Sequence, residues 1–386
     1  MCSSDLDDGA LAYTGVFALI HGAMGHTIEM PDLNQHSNDA VVHAMLGSIN
    51  YIMNNKDTLY KNQLEIYKRG IENEDNRDVD TWHIDENGNQ IGRPRGENEN
   101  FFPEYYILPV DDVFQKNPLQ VYNTVEYLLR NGTIVEKSTK DIEYEGVTYP
   151  KGSFVVPMRQ AKRGIVNSVF YPGTDESKWE DMYAELVMNF PAMRGFDCVE
   201  VREVGLFDGK TEEVKEVTIP ATKYSGSKDY YIIRNTNNDA IKAVNKLLKD
   251  GKKVNMVLEN GKNYEMGDFV VSKADLNSIK NDYYLDVIGV NKVENVMELT
   301  SPKIKLVEPG IASGNLTDHT RYVLKELGFD IINDNTANII VDASGKGEKV
   351  DIENGKSYIG IGRNAVKFVE ENKLLPGLET NTTGNN

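Results

Sequence analysis

The chain has 386 residues, with 42 lysine and arginine residues against 60 aspartate and glutamate residues, and its net charge is -18. An acidic surface cannot displace cations from nucleic acid phosphates and it repels anionic lipid, so we expect no nucleic-acid partner. No apolar run approaches the ~20 residues of a membrane-spanning helix, so we expect no membrane span. Two cysteines are too few for a disulfide framework or a cysteine-based zinc site, and the length predicts two or three domains.

The first 75 residues predict helices joined by a short strand. Residues 11–31 are apolar and small, and the part before His21 predicts a buried helix. A glycine and a proline bracket residues 26–30, which leaves room for a short strand only. Apolar residues at helical spacing then predict an amphipathic helix over residues 41–52 and a second helix around residues 59–70.

Residues 72–100 combine charge and turn-forming residues without periodicity, and this predicts a domain boundary. We therefore divide the chain into five parts, in the order of the chain: an N-terminal segment (1–75), a linker (76–100), a first repeat unit (101–218), a second repeat unit (219–300) and a terminal segment (301–386).

The middle of the chain repeats a strand–helix–strand–strand pattern. The first copy has a strand over 104–108, a helix over 123–130 and a hairpin-like strand over 147–156; the second has 229–233, 240–249 and 264–271. The paired Leu128-Leu129 and Leu247-Leu248, and two Phe-Val-Val runs, recur at nearly constant offset. The sequence therefore predicts a duplicated unit.

The terminal segment alternates strands and helices. Residues 303–307 and 338–341 predict strands, and residues 318–327 and 364–371 predict helices, which is typical of a parallel α/β layer. This order, with the glycine-rich turn at residues 310–314, resembles class I glutamine amidotransferase-like domains. Those enzymes use a thiolate nucleophile, and neither cysteine lies in this segment, so we expect the fold without the activity.

Glu29 is the candidate site residue. It lies in a short apolar strand between Ile28 and Met30, and burying a lone carboxylate is costly, so Glu29 is either functional or a buried residue satisfied by backbone N–H groups. His26 would share a metal with Glu29 only on a helix; on a strand the two side chains point to opposite faces. The other histidines are scattered, and no three-ligand set is evident.

Two stretches carry a resemblance to a known family: residues 21–31 (His-Gly-Ala-Met-Gly-His-Thr-Ile-Glu-Met-Pro) and residues 55–70. Together they resemble the closing part of the catalytic domain of carboxypeptidase A-like zinc metallocarboxypeptidases, in particular large bacterial members with a C-terminal extension. The resemblance covers about residues 7–75. It implies that Glu29 is the general base that activates zinc-bound water for hydrolysis of a C-terminal peptide bond. It further implies an extracellular or cell-surface location.

The resemblance also implies a fold for the chain, and it implies that part of the family's active site is missing. Residues 1–75 are expected to be the C-terminal remnant of a doubly wound α/β carboxypeptidase sheet, followed by the duplicated units and the amidotransferase-like segment. The family's zinc ligands and its substrate-binding arginines precede the glutamate strand, so we expect the chain to be a fragment that does not bind zinc or hydrolyse peptides alone. The alternative is a non-catalytic accessory protein that binds a peptide or a glycan.

Overall fold

The computed structural model describes residues 14–25, 28, 30, 32–75, 83–84, 87, 90–91, 100–111, 113–172, 189–222, 224, 228–309 and 315–375. The protein is mixed α/β and divides into two compact units, Met1–Ile219 and Pro220–Asn386. None of the described helices is both long and apolar enough to cross a membrane.

The first unit begins with two helices and a small hairpin. They are α1 (Thr14–Ile20), α2 (Gln35–Glu72), β1 (His83–Ile84) and β2 (Gln90–Ile91). The Asn34 side chain caps α2 by accepting from the Ser37 N–H, and Asn73 ends it in the left-handed conformation with φ 55°. α1 is only half-buried, although a buried helix was predicted.

A single helix α2 replaces the two helices predicted over residues 41–52 and 59–70. The residues between them include neither glycine nor proline, so nothing stops the helical hydrogen bonds. The Asn55 side chain donates to the Tyr51 carbonyl oxygen one turn earlier, at 2.9 Å, instead of forming a turn. The strand predicted over residues 26–30 lies largely outside the described residues.

An antiparallel five-stranded sheet forms the rest of the first unit, in the order β8-β3-β7-β4-β9, with β5 and β6 in a separate hairpin. Its elements are β3 (Tyr105–Leu108), α3 (Pro118–Arg130), β4 (Glu136–Ser138), β5 (Ile142–Tyr144), β6 (Val147–Tyr149), β7 (Phe154–Pro157), α4 (Arg163–Phe170), α5 (Phe190–Arg194), β8 (Val199–Val201) and β9 (Thr211–Glu213).

The second unit opens with another antiparallel five-stranded sheet, in the order β13-β10-β12-β11-β14. Its elements are β10 (Tyr230–Ile233), α6 (Asn238–Lys249), β11 (Asn255–Val257), β12 (Phe269–Ser272), α7 (Lys273–Ile279), β13 (Val287–Val290) and β14 (Val296–Glu298). Strand for strand, this order matches that of the first sheet. The repeated sequence pattern therefore corresponds to a repeated topology.

The second unit ends in a parallel four-stranded sheet, in the order β16-β15-β17-β18. Its elements are β15 (Lys303–Leu306), α8 (Asn315–Glu326), β16 (Asp330–Ile331), β17 (Ile339–Asp342), α9 (Lys349–Glu353), β18 (Ser357–Gly360) and α10 (Arg363–Glu371). The predicted elements appear as β15, α8, β17 and α10. The sequence did not predict β16, α9 and β18: β16 has two residues and α9 has five, and β18 is largely exposed and has only two apolar residues in a row.

The two repeats bury the equivalent leucines Leu128 and Leu247, both fully inaccessible to solvent. We expect Leu128→Ala and Leu247→Ala each to lower the free energy of unfolding of their own unit by about 3 kcal/mol, because each leaves a cavity. Urea unfolding followed by residue-specific hydrogen exchange measures both effects. Leu375→Ala, at a residue that is 57 % exposed, is the control and should change little. An effect of Leu247→Ala as small as that of the control would contradict the prediction that Leu128 and Leu247 occupy equivalent core positions.

Candidate functional site

The structure does not test the predicted role of Glu29, because Glu29 and His26 lie outside the described residues; Ile28 and Met30 beside them are described. Within the part of the chain that is described, no three histidine, cysteine or acidic side chains come together as a metal site. The ring Nδ1 of His43 on α2 lies 2.8 Å from the Asp39 backbone carbonyl oxygen. His319 is exposed on α8 in the second unit.

The turn after α1 is held against the C-terminal half of α2. The Tyr67 hydroxyl donates to the His21 carbonyl oxygen at 2.7 Å, and the Gln63 side-chain amide donates to the Gly22 carbonyl oxygen. Gly22 has φ 85°, and a Cβ there would lie 2.1 Å from the Tyr67 hydroxyl oxygen. Residues 21–31 and 55–70, which carry the resemblance, are therefore in direct contact.

Gly25 makes the closest backbone approach in this region. A Cβ at Gly25 would lie 1.8 Å from the Gly15 carbonyl oxygen on α1, so no other residue fits without moving the backbone. The His21 ring stacks at a tilt on Phe17, and its Nε2 lies 3.1 Å from the Asn131 side-chain oxygen. These contacts orient the chain that leads toward Glu29, and they engage His21 as a structural residue.

A cavity of about 540 Å³ opens beside the predicted catalytic segment, at the start of α2. Its size suits a small ligand or a peptide side chain. Asp32 is the charged residue among the described residues that line it, and the Asn34 side-chain oxygen accepts from the Ser37 backbone N–H in the helix cap. The other lining residues are Met30, Leu33, Gln35, Asn38 and Val41. Nothing in this set binds a metal by itself, because one carboxylate is too few.

A second cavity, of about 370 Å³, lies in the first unit where β3 and β8 meet α4 and α5. Tyr106, Phe170 and Phe196 contribute aromatic rings to its wall, and the rings of Tyr106 and Phe170 lie 5.1 Å apart. Lys116 and Asp197 form an ion pair of 2.8 Å at its edge. The remaining lining residues are Pro172, Asn189, Pro191, Ala192, Gly195, Cys198 and Glu200.

The polar groups around this second cavity already have partners. Asn189 caps α5 through the Ala192 N–H at 2.9 Å, and its amide donates to the Pro172 carbonyl oxygen at 3.2 Å. Glu200 accepts from Arg202 at 2.7 Å. The cavity is thus suited to an apolar or aromatic group rather than to a strongly polar one. No sequence spacing signalled it, since its residues come from distant parts of the chain.

The Cys198 thiol lies at this cavity. Burial raises its pKa well above the ordinary value, and the nearby Glu200 and Asp197 carboxylates raise it further. We expect Cys198 in a Cys2→Ser variant to react with a disulfide reagent at pH 8 at least about tenfold more slowly than a free cysteine peptide. The same variant unfolded in urea is the control and should react at the free rate. Cys198 is half-buried, so a fast reaction in the folded protein would contradict the raised pKa of its thiol.

The terminal parallel sheet has a sharp strand–turn–helix connection between β18 and α10. Gly362 stands at this turn with φ 82°, and a Cβ there would lie 2.8 Å from a Leu316 methyl group. Hydrolases of the α/β class place a nucleophile on such a turn, and glycine supplies none. Both cysteines lie outside this segment.

Asp342, at the end of β17, organises the neighbouring loop. Its carboxylate accepts from the N–H groups of Ser344, Gly345 and Gly347, each at 2.8 Å, and from the Tyr358 hydroxyl at 2.9 Å. Asp342 is fully buried, so these bonds replace its lost hydration. The role is structural, because the lone pairs of the carboxylate are used within the loop.

Comparison of the chain with protein-family models, with curated proteins and with solved structures found no match to any of them. The function must accordingly be argued from the residues and their contacts.

Proposed function

We propose that the chain carries the closing segment of a zinc-dependent metallocarboxypeptidase, with Glu29 as the general base for hydrolysis of C-terminal peptide bonds. The observation that supports this most is the contact between the two stretches that resemble the family, through Tyr67 to His21 and Gln63 to Gly22. Stretches 41 to 46 residues apart in sequence form one local arrangement, in which glycines allow the close approach.

In this proposal Glu29 removes a proton from the attacking water and later delivers it to the leaving amine. A carboxylate suits this step because it can accept a proton and release it again within one catalytic cycle. Zinc would supply the lowered pKa of the water and the polarised carbonyl. By the resemblance, the zinc ligands in this proposal lie in sequence preceding this chain, and the substrate is a peptide outside the cell.

The remaining parts of the chain are then accessory. The N-terminal segment would be the remnant of a doubly wound carboxypeptidase sheet, the two repeats would extend it, and the terminal segment would be an amidotransferase-like domain without its nucleophile. The chain by itself would be inactive. This follows from Glu29 having no activated water to deprotonate.

The coding sequence immediately before residue 7 provides the first test. An in-frame His-x-x-Glu motif followed by a further histidine is expected there, and the extended polypeptide should hold one zinc and release C-terminal residues from peptides. The chain as it stands is the control, and it should hold no stoichiometric zinc after dialysis. One zinc bound tightly by the chain alone, or an extended protein without zinc, would contradict the proposal.

The second candidate function is a non-catalytic accessory protein that binds a peptide or a glycan. The second cavity, in the first unit, favours it, because its volume of about 370 Å³ suits a small part of a ligand and the rings of Tyr106 and Phe170 form part of its wall. A genuine start codon with its promoter at residue 1, together with saturable binding of an aromatic peptide or an oligosaccharide, would decide for this candidate.

A further inference from the structure

The C-terminal half of α2 and the turn after α1 lie against one surface of the first repeat unit. The two partners are separated in sequence by the predicted linker, residues 76–100, but both belong to the compact unit Met1–Ile219. The surface is formed at the start of β3, the end of α3 and the loop that leads from β7 into α4. We call it the α2 contact surface; it consists of Glu104, Asn131, Gln160, Lys162 and Arg163.

Gly70 makes the closest backbone contact between α2 and this surface. Gly70 is buried, and a Cβ there would lie 2.5 Å from the Gln160 carbonyl oxygen. Gln160 is held in place, because it is 1 % exposed and its side-chain amide donates to the Ile134 carbonyl oxygen at 3.1 Å. Glycine inside a helix lowers the stability of the helix, so its presence here needs a packing reason. The close approach to Gln160 supplies that reason.

Polar groups hold the end of α2 beside Gly70. The Asn73 side-chain amide donates to one carboxylate oxygen of Glu104 at 2.9 Å, and Arg159 donates to the other at 3.0 Å. Glu104 is 5 % exposed, so its buried charge depends on these partners. The Arg163 guanidinium donates to the Glu74 carbonyl oxygen at 2.9 Å. Groups before and after the linker therefore satisfy each other's hydrogen bonds.

A chain of hydrogen bonds runs from the α2 contact surface to the turn after α1. The Lys162 ammonium group donates to the Tyr67 hydroxyl oxygen at 3.3 Å and lies 4.9 Å from the centre of the Tyr67 ring. The Tyr67 hydroxyl donates in turn to the His21 carbonyl oxygen at 2.7 Å. The His21 Nε2 donates to the Asn131 side-chain oxygen at 3.1 Å, since the Asn131 amide nitrogen donates to the Tyr127 carbonyl oxygen. The first repeat unit thus holds the turn both directly and through α2.

We propose that the α2 contact surface positions the stretch that carries Glu29, with Gly70 and Lys162 as positioning residues. The anchored carbonyl group of His21 lies eight residues before Glu29 in the sequence. The first repeat unit is then part of the working enzyme rather than a separable extension. The role for Glu29 rests on the proposed function, whereas the union of the N-terminal segment with the first repeat unit does not.

Cleavage of the full chain within the linker tests this union. A recognition site for a specific protease, inserted between residues 94 and 98, allows the folded protein to be cut between the two partners. We expect the two pieces to elute together in size-exclusion chromatography and to separate in urea, because many contacts cross the cut. Pieces that separate without denaturant would overturn the proposal.

Gly70→Ala tests the close contact in the cleaved protein. We expect it to raise the dissociation constant of the two pieces at least about tenfold, because the new methyl group pushes α2 away from Gln160. Gly47→Ala is the matched control, since it makes the same change in the same helix where no atom lies within 4 Å of the added Cβ. Circular dichroism before cleavage verifies that both variants keep their helix content. Equal dissociation constants for the two variants would overturn the proposal.

Kinetics of the polypeptide extended by its preceding coding sequence test the positioning role. Lys162→Ala should lower kcat about tenfold while KM and zinc content stay unchanged, because a small displacement of a catalytic group lowers the rate without weakening substrate binding. Lys162→Arg should regain most of the rate, since arginine also donates to the Tyr67 hydroxyl oxygen. Lys151→Ala, at an exposed lysine of the same repeat unit, is the control.

The outcomes separate this inference from the proposed function. Equal kcat values for Lys162→Ala and Lys151→Ala in an active extended polypeptide would overturn the positioning role. An extended polypeptide that hydrolyses no peptide would refute the proposed function and, with it, the role for Glu29. The cleavage experiment would still decide whether the α2 contact surface holds the N-terminal segment.

Discussion

Glu29→Gln should lower peptide hydrolysis about 10²- to 10⁴-fold in the polypeptide extended by its preceding coding sequence. Glutamine keeps the shape of the side chain but cannot accept the proton of the attacking water. If Glu29 is the general base, as we propose, the loss should fall on kcat while zinc content stays at one per chain. Steady-state kinetics with a blocked dipeptide and metal analysis of the same preparations measure the two quantities.

The neighbouring aspartate provides a matched control for this experiment. Asp32 lines the cavity at the start of α2, and Asp32→Asn removes a carboxylate three residues away without touching the proposed proton acceptor. We expect its activity to stay within a few-fold of the unchanged enzyme. Retained activity in Glu29→Gln would make Glu29 a structural residue, and loss of zinc together with activity would make it a metal ligand.

Asp342→Ala should lower the free energy of unfolding of the second unit by about 4 kcal/mol, because it removes charge-assisted hydrogen bonds and leaves buried donors without acceptors. The donors are the N–H groups of Ser344, Gly345 and Gly347 and the hydroxyls of Ser344 and Tyr358. Asp318→Ala is the control: its side chain is 71 % exposed and its ion pair with Arg321 is 3.9 Å long, so little change is expected.

The same carboxylate makes the second unit sensitive to acid. Burial alone would raise the pKa of Asp342, but the hydrogen bonds from Ser344, Tyr358 and Gly347 outweigh it and hold the pKa below its usual value. A pKa lowered by folding adds stability that is present above the unfolded value of about 3.9 and is lost as the pH falls through the folded value. Urea unfolding at pH 7 and near pH 3 measures this loss.

Asp342→Asn separates the charge from the hydrogen bonds. The variant keeps one acceptor oxygen but cannot titrate. The free energy of unfolding of the variant should therefore change less between pH 7 and pH 3 than that of the unchanged protein. Acid dependence identical to that of the unchanged protein would contradict the assigned role. In that case another carboxylate, such as Asp351 between Lys305 and Lys356, would control the acid response.

Local sequence was sufficient to predict those strands and helices whose pattern lies within a short run of neighbouring residues. The apolar strands of the two sheets, the helices that end near Asn131 and Asp250, and the alternation of the terminal segment could all be predicted. Each depends on periodicity and on turn residues within about ten positions, and these act in the same way in any fold. The duplication was visible for the same reason, since two similar local patterns predict two similar units.

The site was predictable only in part. The sequence indicates Glu29 as a candidate because a lone carboxylate among apolar residues is costly to bury. Its role as general base comes from the resemblance and stays a prediction. The second cavity was not predicted, because Tyr106 of β3, Phe170 of α4 and Asp197 before β8 come together only through tertiary contacts. The hydrogen-bonded loop around Asp342 was not predicted, since its hydrogen bond from Tyr358 depends on the parallel register of β17 and β18.

By itself, then, the sequence determined the class of the fold, the repetition and the placement of its principal strands and helices. It did not determine whether residues 35–72 would form one helix or two, nor which of the two apolar faces of α2 the chain would cover. Those outcomes depend on which surfaces meet across long sequence distances, and hydrophobic burial is non-directional until the tertiary structure selects the partners. Only the tertiary structure left Val42, Ile49 and Met53 in water.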